Sequence, residues 1–245
     1  MTSTTIATIG TWHQHMAKLN QLRRTRGSMR ALYALARRIL RLLPISGRWA
    51  SIYAGDLWQL DLEKATRAQA DRLARIPKSF QIRMAAQEDL AALAAYYGNE
   101  QTIRKRLERG DWCFITVCQD RIGAAAWVVP GPGECREDWA ELHTMQRFPA
   151  GIAWSYDGKG TRWGAWGALM IQLPDLLKER GIRTVVTLID CDNWKSYDAH
   201  RSLGYEITGL IGSAGLLGVL VGVCRQHANR RWQFLPARVK EVEVF

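Results

Sequence analysis

The run IRTVVTLI (182–189) ends at Asp190, Asp192 and Asn193, and the chain then turns at once into a helix-like segment, WKSYDAHRSLGY (194–205). An apolar run of β type, bounded this sharply, reads as a buried strand. Asparagine at its exit suits a helix N-cap, because its side-chain oxygen can accept from the first unpaired N–H groups. A buried strand feeding straight into a helix requires layers of both kinds, so the chain belongs to a mixed α+β or α/β class.

The remaining periodicities agree. From Phe80 onward FQIRM reads as a strand, AAQEDLAALAAYY as a helix and NEQTIRKRLERGD as a second helix ending at Gly110. WCFITVCQDRIGAAAWVVP then reads as a hairpin turning at Gln119, Asp120 and Arg121. A polar loop is expected over 131–149, followed by the strand GIAWSY, a glycine-bearing turn DGKG, and a helix from Thr161 that closes at Gly181. The charge-free stretch from Gly209 to Cys224 is too short for a membrane-spanning helix and fits a buried hairpin. WASIYAGDLWQLDL (49–62) is expected to supply a strand pair, and EKATRAQADRLARIPK a polar helical link.

Charge divides the chain unevenly. The net charge is +11, yet residues 1–55 hold nine Lys or Arg and no acid, while the remainder holds 25 basic and 23 acidic side chains. The basic character therefore belongs to an extension, and no nucleic-acid partner is predicted for the main domain. Within that extension Met29, Leu32, Ala36, Ile39 and Leu43 recur at helical spacing with arginines on other faces. Such a helix (residues 16–43) suits an anionic membrane surface or an acidic partner, or else packs on its own domain with its arginines in water. Residues 1–79 are read as a basic helical extension and 80–245 as a separate domain. The five cysteines are odd in number and form no CxxC pair, so neither a disulfide framework nor a metal site is expected. MTSTTIATIG lacks the pattern of a secretory signal, and a cytoplasmic protein, peripheral at a membrane through its arm, is expected.

The order strand, helix, helix, hairpin, strand, glycine turn, helix, strand, short helix resembles the GNAT acyltransferase superfamily over about residues 80–210. QIRMAAQEDLAAL is similar to the family's opening strand and helix, and RGDWCFITVCQDRIGAAAWVV to its second and third strands. Asn193, Ser196, Ala199, His200, Leu203, Gly204 and Tyr205 fall without a gap on a pattern resembling N-x-x-A-x-x-L-Y-x-K-L-G-F. The resemblance implies a mostly antiparallel sheet with helices on both faces. Two parallel strands, holding Ala153 and Val186, would splay at their ends to admit the pantetheine arm of acetyl-CoA or another acyl-CoA. Implied contacts for the arm are Trp154, Ser155, Tyr156 and Asn193. The family's phosphate turn, resembling R/Q-x-x-G-x-G/A, falls on Thr161, Gly164 and Trp166, of which Gly164 alone matches; one residue along it falls on Arg162, Ala165 and Gly167. Arg162, Trp163, Gly164, Ala165, Trp166 and Gly167 together form the implied pyrophosphate site, since N–H groups opening a helix attract anions.

Such enzymes transfer the acyl group directly to an amine, using an acid for the thiolate and a base for the ammonium. His200 occupies the position of the family's tyrosine acid, with Tyr197 one turn earlier, and Glu141 is the candidate base beside His143. Trp127, Trp139, Trp154, Trp163 and Trp166 would either wall an acceptor pocket or simply fill the core. Three readings stand open: an acyl-CoA-dependent N-acyltransferase acting on a small-molecule amine, an acyltransferase charged from an acidic acyl carrier protein, and a GNAT-like binding or scaffold module that has lost its cofactor.

Overall fold

The computed structural model describes residues 32, 33, 35, 36, 50–139, 142–216, 219–226, 232–235 and 240–243. The expected arm helix lies outside the described residues except for Leu32, Tyr33, Leu35 and Ala36, which are helical. Glu141 lies outside them too, as do the side chains of Trp139 and His143.

The first described strand, β1 (Ala50–Asp61), leads directly into α1 (Leu62–Leu73), where the Asp61 side chain accepts from Lys64 N–H at 3.0 Å and caps the helix. The short β2 (Gln81–Met84) leads through a 3₁₀ turn to α2 (Leu90–Tyr97) and α3 (Glu100–Glu108). β3 (Trp112–Cys118) and β4 (Arg121–Pro130) form the expected hairpin, and Gln119 and Asp120 both take positive φ in its two-residue turn. β5 (Gly133–Trp139), β6 (Leu142–Phe148) and β7 (Ile152–Gly160) follow, then α4 (Ala165–Lys178), β8 (Thr184–Asp190) and α5 (Trp194–Ser202). The chain closes with β9 (Glu206–Leu216), β10 (Val219–Gln226), β11 (Trp232–Leu235) and β12 (Lys240–Glu243).

Among the described residues nine strands form one sheet in the order β11-β10-β9-β1-β8-β7-β4-β3-β2. Among the described residues β7 and β8 are its one parallel pair. The period of two along the strands sorts side chains onto two cores. Trp58, Phe114, Ala126, Val128, Ala153 and Val185 face α1, α4 and α5. Ile115, Ala125 and Trp127 on the opposite face pack under α2 and α3, while Val129, Trp154, Val186 and Leu57 pack beneath β5 and β6. Helices on both faces of a mostly antiparallel sheet match the expected class.

Three expectations change. WASIYAGDLWQLDL is not a strand pair but one long strand, and β1 pairs with β8 on one edge and β9 on the other. Leu57, Trp58, Leu60 and Leu62 are each at most 3% exposed. The boundary drawn between residues 79 and 80 therefore divides a continuous core. Residues 131–149 are not a loop: β5 and β6 pair antiparallel from Gly133↔Phe148 to Trp139↔Leu142, and β12 joins β6 in parallel. The glycines of DGKG are strand residues, since β7 pairs with β4 as far as Ala124↔Gly160; the turn falls after them, at 161–164.

Candidate active site

The pairing of β7 with β8 runs only from Ile152↔Thr184 to Ser155↔Thr187. Beyond that point β7 continues to Gly160 on β4, and β8 continues to Asp190 on β1. The two strands thus keep separate outer partners and part from each other, forming a fork whose open end faces the N-terminus of α4 and the junction into α5.

The β7 arm of the fork is irregular and firmly held. Its register on β4 shifts between Ala125 and Trp127, and Asp157 sits at φ +45° in the resulting bulge. A non-glycine residue rarely takes that conformation unless its surroundings impose it. Here Tyr97 Oη donates to the Asp157 carbonyl at 2.9 Å, and the Arg106 guanidinium pairs with the Asp157 carboxylate at 2.5 Å. Tyr96 Oη donates to the Lys159 carbonyl at 2.8 Å while Lys159 Nζ donates back to the Tyr96 carbonyl at 2.9 Å. Arg106 also lies over the rings of Trp127 and Tyr156, at 5.1 and 4.9 Å from their centroids.

At the open end, Thr161 N–H and Arg162 N–H both donate to the Gly123 carbonyl, at 2.8 and 3.1 Å. Gly164 at φ +78° is the N-cap of α4, a conformation that favours glycine. The first turn of any helix leaves N–H groups without intrahelical acceptors, and here those belong to Ala165, Trp166 and Gly167; Ala165 N–H reaches the Arg162 carbonyl at 3.3 Å. The Arg162 guanidinium is turned to the β3–β4 hairpin, where it donates to the Cys118 carbonyl at 3.2 Å and Gln119 Oε1 at 3.1 Å. Trp163 is 98% exposed. The Trp166 indole folds down over β7, where it explains Gly158 and Gly160: a Cβ on Gly160 would sit 2.7 Å from Trp166 Cβ, and one on Gly158 would strike the indole itself.

The junction into α5 is built as its sequence implies. Asn193 Oδ1 accepts from Ser196 N–H at 3.3 Å, so this side chain caps the helix, and Asp190 Oδ1 accepts from Asp192 N–H at 3.0 Å. Tyr197 is buried edge-on to Trp58, with ring centroids 4.4 Å apart, and Trp58 pairs in register with Thr187 at the fork's apex. His200 is buried, with Nδ1 2.7 Å from the Ser196 carbonyl and its ring edge-on to Tyr205. A carbonyl only accepts, so Nδ1 carries the proton. Burial lowers the His200 pKa from its ordinary 6.5, which leaves it neutral at pH 7 and a weak proton donor. Its folded pKa lies below its unfolded one, so the unfolded chain binds the extra proton first. The His200 contribution to stability is therefore expected to be level above about pH 7 and to fall as pH drops below about 6.5. Urea midpoints of wild type and His200→Asn, measured from pH 7.5 to 5, check this: the wild type should lose more stability than the variant.

The structure brings Trp154, Ser155, Tyr156, Asn193, Tyr197 and residues 162–167 around one fork. Trp154 and Trp127 are fully buried core residues rather than pocket walls. Sequence reading missed the clamp of Tyr96, Tyr97 and Arg106, and also a buried carboxylate, Asp111. The Arg109 guanidinium grips Asp111 through Nε at 2.9 Å and Nη2 at 2.5 Å, and Tyr156 Oη donates to the same carboxylate. Burial, then this carboxylate, pushes the Tyr156 phenol far above its ordinary range.

No family model matches the chain, and no curated protein matches it. Solved structures do show likeness. A conserved protein of unknown function from Staphylococcus epidermidis aligns at TM-score 0.47 and 9% identity, over 76% of this chain and 68% of that one. A protein from the GNAT family of Novosphingobium aromaticivorans aligns at 0.43 and 14%, over 67% and 64%. The tandem GNAT protein of the clavulanic acid biosynthesis pathway aligns at 0.44 and 20%, over 80% and 72%. At these scores the likeness carries no argument by itself; the strand order and the parallel, forked β7–β8 pair are this chain's own. The described residues form the mixed, mostly antiparallel sheet flanked by helices that the sequence resemblance implied. Among the described residues no helix is long and apolar enough to cross a membrane, and no cluster of His, Cys, Asp or Glu could hold a metal ion.

Proposed function

We propose that this protein transfers an acyl group from an acyl-CoA, acetyl-CoA first among the candidates, to an amine by direct attack. One observation carries the reading: a parallel strand pair that separates after four registered residues, with a bulge on one arm and a glycine-capped helix N-terminus at its mouth. The backbone of Ser155 and Tyr156 would pair with the pantetheine arm. The N–H groups of Trp163 to Gly167 would meet the pyrophosphate, with Arg162 adding positive potential from the rim. Asn193 would shape the mouth by capping α5, and Tyr197, beside the fork's apex, is a better proton donor than a neutral His200. Held in line, the deprotonated amine forms the C–N bond as the C–S bond breaks; Tyr197 protonates the departing thiolate and is reprotonated from solvent, while the two protons that nitrogen loses, one before attack and one after, leave through a base such as Glu141 or solvent. The acid-free arm supports an acidic carrier protein or an anionic membrane surface as partner.

A second reading is favoured by the Trp166 indole over Gly158 and Gly160 and by the inward-turned N–H groups of Thr161 and Arg162. On that reading the domain is a binding module whose fork stays closed to cofactor. Thiol release from acetyl-CoA in the presence of a primary-amine panel separates the two. The enzyme reading expects turnover that Tyr197→Phe slows by about 10²-fold or more, the usual scale of lost acid catalysis. Absence of release with every donor and amine favours the module.

A further inference from the structure

On the face that carries α2 and α3, a pocket of about 420 Å³ lies between the end of α3 and the β4–β5 connection. Arg109 lines it together with Gly110, Gly133 and the apolar side chains of Val129, Pro130 and Pro132. From the helix mouth at Gly160, β7 runs back past the bulge to Tyr156, and Tyr156 Oη lies 3.2 Å from Arg109 Nη2. The pocket therefore lies beyond the fork's apex, on the side opposite the phosphate turn.

Arg109 is fixed in position by its hydrogen-bond partners. Its side chain is 42% exposed, yet it is pinned by Asp111, whose side chain is 1% exposed. A carboxylate buried to that degree is costly unless fully paired. Here it receives two donors from Arg109 and one from Tyr156. Those bonds use Nε and Nη2, and Nη1 makes no hydrogen bond to the described residues. The other charge among the described lining residues, Glu134, lies toward solvent, 3.5 Å from Arg147. An oriented guanidinium with a spare donor, set against apolar walls, matches a carboxylate carried on a short apolar body.

We propose that the acceptor is an amino-carboxylic acid whose carboxylate binds Arg109 in this pocket while its amine points back toward the fork. The assignment of the pocket to the acceptor rests on the acyl-transfer reading; the carboxylate site itself does not.

The test is a titration of the full chain, without acyl donor, followed by NMR of Arg109 and of residues 129–134. The probes are 6-aminohexanoate and hexylamine, which differ in the carboxylate. A charge-assisted contact predicts at least ~10-fold tighter binding of 6-aminohexanoate. Because Arg109→Met alone would strand Asp111, the variant is Arg109→Met with Asp111→Asn, accepted once its melting transition is cooperative. It should bind both probes equally. Equal binding by wild type, no response to 6-aminohexanoate at millimolar concentration, or a preference that survives in the double variant would each overturn the site. If the preference is present but no acyl-CoA supports turnover on either amine, the pocket stands and the acyltransferase reading falls. Turnover with equal KM for both amines would do the reverse.

Discussion

A chain beginning at residue 80 is expected not to fold, although the sequence places a domain boundary there. β1 fills the middle of the sheet, giving β8 an antiparallel partner over seven registered residues and β9 one over ten. Its removal strips both strands at once and separates β9, β10 and β11 from the rest of the sheet. Leu57, Trp58 and Leu60 leave the core with it. Each large buried side chain contributes roughly 1.5–3 kcal/mol, against a whole-domain stability of about 5–15 kcal/mol. Loss of these three alone is comparable to that margin, before the exposed strand edges are considered. Circular dichroism and urea unfolding are expected to show no cooperative transition for residues 80–245. A chain beginning at residue 50 should keep one. A cooperative, monomeric 80–245 fragment would mean that β1 is an accessory strand.

The contrast between these two chains shows where the sequence is legible. The β8 arm of the fork and the α5 junction are local: an apolar run, an asparagine cap and a Leu-Gly-aromatic ending sit within residues 182–205, so pattern and structure coincide. The partners of β1 are instead more than 120 positions away, and nothing in WASIYAGDLWQLDL says which strands it will join. β5 and β6 escape for another reason. Their segment is rich in charge, and a hairpin with polar residues reads as a loop when only hydrophobic alternation is counted. Arg109 and Asp111 look like an ordinary helix exit, since their role depends on Tyr156, 45 residues on. DGKG reads as a turn because glycine signals one by default. Here the glycines admit the Trp166 indole, which no local pattern could reveal.

That indole also bears on the largest functional effect expected. If it rests on β7 alone, the helix mouth formed by Gly164 and the first turn of α4 stays available to phosphate, and the wild type should bind acyl-CoA. Unpaired helix N–H groups and the positive end of the helix dipole favour the anion, and Gly164 lets the backbone approach it. If the indole instead seals the fork, replacing it should create binding that the wild type lacks. The two cases make opposite statements about one substitution. Isothermal titration of acetyl-CoA into wild type and Trp166→Gly is therefore the most direct test of the account. The account predicts micromolar binding by the wild type, a free energy of about −8 kcal/mol, and no gain for the variant. Absence of heat with the wild type, together with binding by Trp166→Gly, would contradict it.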